Sequence, residues 1–443
     1  MNLVFKNALL LFIFFLISCK KDKKDTQPPI ISFNIPVSGQ TYKMFDTIPV
    51  NAHISDNEHI SSVSITLTDI NHVPQQSSIN ASIPSANFIL TMNYILNQFH
   101  LSSGNYYLQI AADDGFNTTV AYQSIYIIES PTLLWGYCAV FKSNNKLISY
   151  YDTVRNNLFS FPALSQPFNG MKYGGYNEQL YINGNTTQDF QAYTMQNRSG
   201  SPNYIENAST SQQNYTSIYT DGYKPYVGFY NSDIYSYQNT GSTSTSYRLN
   251  DNNFYSYCFA TSSNYGVAAF KSKNTSVSNK LVAFYGNSGA VFQSALLASP
   301  NCTIANVVAM FEKAQDTVYV LGNDASNNAT AYLFYPPSIG FMPISGMPSG
   351  KMLSAVKVNN NSIIFSTATG VYACNGLIVN PVSLLSNGAQ KLYYQPKLNM
   401  LTVATSTTIC TYTVGSTALS SIPRWTLPFA ADSLIDFEVI TNK

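Results

Sequence analysis

The sequence predicts an all-β chain: a two-sheet sandwich followed by a seven-bladed β-propeller. Three observations predict it. Apolar and polar residues alternate with period two through much of residues 30–130. Apolar strands of five to eight residues then recur roughly every 45 residues to the end of the chain. No amphipathic helix stands out among residues 131–443.

The first 29 residues carry targeting information. Met1 to Asn7 holds one basic residue, Lys6, and the apolar run Ala8 to Ile17 follows. That run is shorter than the ~20 apolar residues of a bilayer-spanning helix and has the layout of a secretory signal. It ends in Leu16-Ile17-Ser18-Cys19, which resembles the bacterial lipobox. The resemblance implies cleavage after Ser18 (a signal peptide of residues 1–18), a diacylglyceryl group on the Cys19 thiol and acylation of the new amine. Each buried methylene adds about 0.8 kcal/mol of membrane affinity, so several chains anchor firmly. An ordinary signal peptide with a chance cysteine is the plainer alternative. Residues 19–29 then read as a solvated tether, because KKDKKDTQPP has no apolar residue to bury. The tether is similar to those of Bacteroidetes outer-membrane lipoproteins, which implies the outer membrane of a Gram-negative cell, with either face of it open.

The β domain at 30–130 begins with alternation at Pro49–Asp56 and Ser62–Asp69, separated by the turn residues Asp56-Asn57-Glu58. A strand at Gly104–Ala112 runs into an Asp-Gly turn, and Thr119 to Ile128 follows. Short strands at this spacing over about 100 residues suit a β-sandwich. The stretches Gly104 to Asn117 and Ala52 to Asn57 resemble bacterial immunoglobulin-like or cadherin-like modules, without the paired cysteines and core Trp of antibody domains. Asp56, Glu58, Asp113 and Asp114 could line a calcium site, as in some such modules. Turn capping by Asp and Asn side chains accounts for the same residues, and no DxDxDG loop is present. We therefore expect no metal.

Residues 131–443 repeat. A strand after a tight turn recurs at Leu147, Leu180, Val227, Val267, Val318, Ile363 and Leu401, with steps of 33 to 51 residues. Most have a strand before and a strand after, as four-stranded propeller blades require. The last strand, Leu434 to Thr441, falls after the seventh unit and is placed to complete the first blade. Six or eight blades, a β-solenoid or paired sandwiches remain as alternatives. The whole resembles PKD-like or propeller lipoproteins of Bacteroidetes in architecture.

Composition bounds the chemistry. Charged residues are 10% of the 443, and the net charge is +1. Nucleic-acid binding needs a concentrated basic surface and is excluded on that ground. Hydrophobic residues make up 45%, which excludes disorder over most of the chain. Five cysteines besides Cys19 are scattered without a CxxC pair, an odd number that cannot all pair internally. All four histidines precede residue 131, so histidine-based catalysis in the propeller region is nearly excluded. Its thirteen carboxylates stand mostly alone. A glycosidase needs two facing acids, for which Asp152 with Asp316 or Asp221 is the pairing to test.

We expect no catalytic residues and no cofactor. The expected partners are a membrane, through Cys19, and a glycan or envelope protein. Tyrosine is abundant, with 33 residues, and joins a flat apolar face to a polar tip. Among Tyr173, Tyr176, Tyr215, Tyr219, Tyr223, Tyr226, Tyr230, Tyr235 and Tyr237, blade packing is the default reading. Tyr223 and Tyr226, beside Gly222 and Pro225, are the expected ligand-facing pair. A carbohydrate-active enzyme or an envelope scaffold is the alternative. Finally, Asp-(Ser/Thr)-apolar triplets resemble the O-glycosylation acceptor of Bacteroidetes exported proteins. They would place sugars on Thr47, Thr153, Thr317 and Ser433, while turn-to-strand chemistry explains the same triplets without modification.

Overall fold

A computed structural model describes residues 25–443 apart from interior stretches at 82–84, 142–147, 161–167, 185–187, 196–203, 208–213, 239–240, 376–377, 386, 406, 416–418, 421–422, 424 and 429–433. Cys19 and Ser433 lie outside the described residues. The chain forms two compact units, Met1–Pro131 and Thr132–Lys443. Among the described residues there is no α-helix, and no helix is long and apolar enough to cross a membrane.

Among its described residues the first unit has eight strands: β1 (Ile30–Ile35), β2 (Gln40–Lys43), β3 (Thr47–Ser55), β4 (Ser62–Thr68), β5 (Ile79–Ala81), β6 (Asn87–Ile95), β7 (Gly104–Asp113) and β8 (Thr118–Ile128). They make a three-stranded sheet, β1-β3-β6, and a five-stranded sheet, β2-β8-β7-β4-β5. Period-two sequence becomes period-two burial, as in β3, where Ile48, Val50, Ala52 and Ile54 all point inward. They meet Val63, Ile65, Leu67, Leu108 and Ile110 of the other sheet in one core. Tyr94 is fully buried there and accepts a hydrogen bond at its hydroxyl from the Leu67 N–H at 3.1 Å.

The second unit is a ring of four-stranded antiparallel sheets, a β-propeller. Seven such sheets lie among its described residues. Numbered in chain order, sheet I holds Leu134–Phe141, Ile148–Asp152 and Asn157–Ser160, with Leu434–Thr441 added from the C-terminal end. Sheets II to VII begin with the strands Phe168–Gly174, Tyr215–Thr220, Phe254–Thr261, Asn306–Ala314, Met352–Asn359 and Lys391–Gln395. These six strands and Leu434–Thr441 touch one another in succession and so line the axis.

A separate apolar cluster fills each seam between neighbouring sheets, the seam between VII and I included. Strands covered on both faces must be apolar on both faces. The second strands of these sheets accordingly bury every residue in Gln179–Gly184, Pro225–Phe229 and Met400–Ala404. These are the strands marked in the sequence by Leu180, Val227, Val267, Val318, Ile363 and Leu401; Leu147 lies outside the described residues. Sheets approach closely enough that Gly228 of sheet III has no room for a Cβ, which would overlap the hydroxyls of Ser256 in sheet IV and Ser217.

The closing strand is the seam's fastener. Leu434–Thr441 pairs antiparallel with Leu134–Phe141, Val439 opposite Tyr137 and Phe437 opposite Ala139. Phe437 and Val439 pack with Met400, Ala404 and Ile409 of sheet VII, whereas Ile440 packs with Met171 and Leu180 of sheet II. Phe437→Ala is expected to lower the unfolding free energy of the second unit by about 3–5 kcal/mol. Leu158→Ala, on the outer strand of the same sheet and 60% exposed, should change it by less than about 0.5 kcal/mol. Denaturant titration checks both values, and equal effects would contradict the fastener role.

Candidate functional site

The C-terminal halves of the axial strands line an open cavity of about 360 Å³. Six of the seven sheets contribute, sheet IV being the exception. Lys172 comes from sheet II, Thr220 from III, Phe311 from V, Lys357 from VI, Tyr393 from VII and Glu438 from I.

Glu438 and Asp436 sit two residues apart on the closing strand and are buried. Each is answered by a lysine from a neighbouring sheet: Lys172 Nζ donates to Glu438 Oε1, and Lys391 Nζ donates to Asp436 Oδ1. The two pairs also feel each other, so two cations and two anions form one network across sheets VII, I and II. Burial raises the Glu438 carboxyl above the usual range, and Lys172 offsets this only in part. Burial works against the Lys172 charge, but Glu438 and Asp436 outweigh it and hold the ammonium above its ordinary value. Burial pushes the phenols of Tyr173 and Tyr393 well up, so both stay protonated. The Tyr173 hydroxyl donates to the Thr441 carbonyl, which fixes that wall.

Two turns form part of the rim. Gly175 and Gly222 line the cavity, and the next residue in each turn is an aromatic, Tyr176 and Tyr223. Asp221 builds the second turn: its Oδ1 accepts from the N–H groups of Tyr223 at 2.8 Å and Lys224 at 2.9 Å. Gly222 sits at φ +93°, a conformation that favours glycine. The turns are tied by Tyr176 N–H to Gly222 O at 3.0 Å and by Asn177 Nδ2 to Tyr223 O. Tyr176 and Tyr223 stand 39% and 58% exposed with ring centroids 4.4 Å apart.

Tyr226 requires a correction. It lies within the strand Pro225–Phe229, is 4% exposed and packs in the seam between sheets III and IV. Its hydroxyl donates to Asp221 Oδ2 at 2.8 Å, so it supports the turn that presents Tyr223 and offers no face to a ligand. Of the other tyrosines, Tyr173, Tyr215 and Tyr237 are also buried.

The carboxylates paired from sequence do not meet as a catalytic couple. Asp152 caps its turn, Oδ1 accepting from Val154 N at 2.9 Å and Arg155 N at 3.0 Å, on a strand two removed from the axial one. Asp316, at φ +58°, sits in the turn between two strands of sheet V and accepts from Asn264 Nδ2 at 3.0 Å. Asp221 is occupied as described. The buried acids on the axial strands, among the described residues, are Glu438 and Asp436, which sequence reasoning missed. The signal was present in Leu-Ile-Asp-Phe-Glu-Val-Ile, two acids in step within an apolar strand.

In the Asp-(Ser/Thr) triplets, Thr47 is exposed where β3 begins, and Thr317 is partly buried. The Thr153 hydroxyl is engaged with the carbonyls of Leu134 at 2.9 Å and Trp135 at 3.0 Å. A sugar on Thr153 would displace those bonds. Cys138, Cys302 and Cys374 are buried, and Cys258 and Cys410 are half-buried. Cys302 lies between strands rather than in one.

In the first unit the structure brings Asp56 and Asp114 together with Asp25, their carboxylate oxygens within 4.8 Å of one another. Among the described residues these three are grouped closely enough to hold a cation; Glu58 and Asp113 stand outside the trio. All three also hold turns. Asp56 Oδ1 accepts from Glu58 N at 2.9 Å, Asp114 Oδ1 from Phe116 N and Asn117 N at 2.6 Å, and Asp25 Oδ1 from Gln27 N at 3.0 Å.

Asp113 is held below its ordinary 3.8 by hydrogen bonds from Thr118, Ser61 and the Gly115 N–H. Burial opposes the Asp114 charge, but hydrogen bonds from Asn117 and Phe116 outweigh it, and this carboxyl is also lowered. A folded-state value below the unfolded one stabilises the fold above pH 3.8 and ceases to do so as pH falls through the folded value. Asp113→Asn should therefore destabilise the first unit at neutral pH, and the gap to the parent should shrink below pH 3.8. Chemical denaturation at stepped pH measures it; a gap independent of pH contradicts the assignment.

The chain matches no protein-family model and no curated protein. Among solved structures it is similar to a quinoprotein alcohol dehydrogenase-like protein from Bacteroides thetaiotaomicron, at 11% identity and TM-score 0.46, over 92% of this chain and 97% of that one. It is also similar to the Dos1 propeller, at 13% identity and TM-score 0.45, over 68% of this chain and 87% of that one.

Proposed function

We propose that this protein is a noncatalytic glycan-binding lipoprotein of the bacterial outer envelope. In this reading Cys19 carries the lipid anchor, the first unit is an immunoglobulin-like spacer, and the second is a complete seven-bladed propeller whose channel mouth holds the ligand. One observation carries the choice of glycan: the exposed Tyr176–Tyr223 pair stands on two turns that line the axial cavity. Exposed tyrosines, here tilted 38° to each other, offer apolar faces to a sugar ring and hydroxyls to its edge.

A noncatalytic role is supported by the state of the axial acids. Glycoside hydrolysis asks one acid to give a proton and another to attack or activate water. Here Glu438 and Asp436 share one strand, and each is already engaged by a lysine. These engagements weigh against the alternative of a carbohydrate-active enzyme using channel carboxylates.

Tyr223→Ala should weaken binding on a glycan array about tenfold, the equivalent of about 1.4 kcal/mol, and leave the melting temperature unchanged. Tyr226→Ala should instead destabilise the propeller by about 3–5 kcal/mol. An array on which no signal depends on Tyr223 overturns the site.

The anchor is tested separately. Wild-type protein expressed in a Gram-negative host should partition with membranes, and Cys19→Ser should release it to the soluble fraction. Equal partitioning of the two contradicts lipidation.

A further inference from the structure

We propose that the axial cavity selects acidic glycans, chains bearing carboxylate or sulfate groups, and that Lys357 is the residue that receives the anion. This rests on the glycan-binding reading above and names the class of glycan.

Lys357 differs from Lys172 and Lys391 of the other axial strands. Lys172 and Lys391 each have a carboxylate partner. Lys357, on Met352–Asn359, lines the cavity and is half-buried, yet among the described residues no carboxylate lies within ion-pair distance of its Nζ. The charged groups that act on it are Glu312 and Lys313 of the adjoining axial strand. Both are committed elsewhere. Glu312 accepts from Ser263 N at 3.1 Å and Ser263 Oγ at 3.2 Å. Lys313 donates to Asn361 Oδ1 at 2.9 Å and the Asn360 carbonyl at 3.3 Å.

An ammonium partly withdrawn from water with no carboxylate in contact, Glu312 acting on it only at longer range, raises the free energy of the empty site, and an anion delivered to it recovers part of that energy. Burial lowers the Lys357 ammonium from its ordinary value, with Glu312 opposing the shift, which agrees with a charge that its surroundings do not satisfy. The cavity's own carboxylate, Glu438, is neutralised by Lys172, so it repels an incoming anion weakly. Phe311 and Tyr393 add apolar surface beside these charges, which suits a sugar ring rather than a bare inorganic ion.

The test uses the full chain in detergent and two matched pairs of probes: polygalacturonate with its carboxyl-reduced form, and dextran sulfate with dextran. Calorimetry should show at least one acidic member bound about tenfold or more tighter than its neutral counterpart. Lys357→Met should abolish that preference and Lys357→Arg should retain it, with both variants melting as the parent does. Which pair responds distinguishes carboxylate from sulfate. Neutral and acidic members bound equally, an acid preference that survives Lys357→Met, or no binding of either acidic probe overturns the proposal. Equal binding that still falls in Tyr223→Ala leaves the glycan-binding reading standing while this one fails.

Discussion

The second unit depends on one strand. A four-stranded sheet in a ring buries both faces only when it has a neighbour on each side, and sheet I has its axial strand only when Leu434–Thr441 returns to it. Its main-chain bonds to Leu134–Phe141 remove an exposed edge. Its side chains work in two directions at once, Phe437 and Val439 toward sheet VII and Ile440 toward sheet II. The ion pairs of Asp436 and Glu438 follow the same division, to Lys391 and Lys172. Losing this strand would open two seams rather than one.

That closure explains the composition. With 10% charged residues, the chain has few side chains that must reach water, because the ring hides most strand faces against other strands. Tyrosine suits such seams. Its ring packs while its hydroxyl reaches a polar group at the sheet margin, as Tyr137 does toward Thr411 Oγ1 at 3.0 Å, Tyr247 toward the Gly286 carbonyl at 3.1 Å and Tyr319 toward the Asn360 carbonyl at 3.1 Å. Phenylalanine would fill the volume and leave those partners unmet. The charges that do appear at the axis therefore carry information.

How legible the chain is depends on how local the constraint is. The second strands were visible because both faces of each are covered, so their apolar runs are continuous and stand out against turn residues. The axial strands were fainter, since residues such as Lys172, Lys357 and Glu438 break the apolar pattern. Tyr223 was legible as a turn residue beside Gly222. Tyr226 was misread because Pro225 looks like a loop residue, whereas it is the first residue of a strand, where a missing N–H is tolerated. Glu438 and Asp436 were illegible as a site for a different reason. Their lysines lie 266 and 45 residues away in the chain, and only ring closure brings them together.

Closure and recognition are then one problem. The cavity has no wall of its own; it is the space left by axial strands from six sheets. The acids of sheet I are held against lysines of II and VII across the two seams. The ligand contacts proposed above are the Lys357 ammonium of sheet VI and the aromatic pair carried by turns of sheets II and III. A ligand long enough to reach both touches sheets that are not neighbours, and it finds them correctly spaced only in the closed ring. Mass action makes such a ligand a stabiliser of closure, to a degree set by its concentration relative to its dissociation constant. In the proposed reading, the network at Glu438 would act on binding by fixing the circumference on which the contacting groups are spaced.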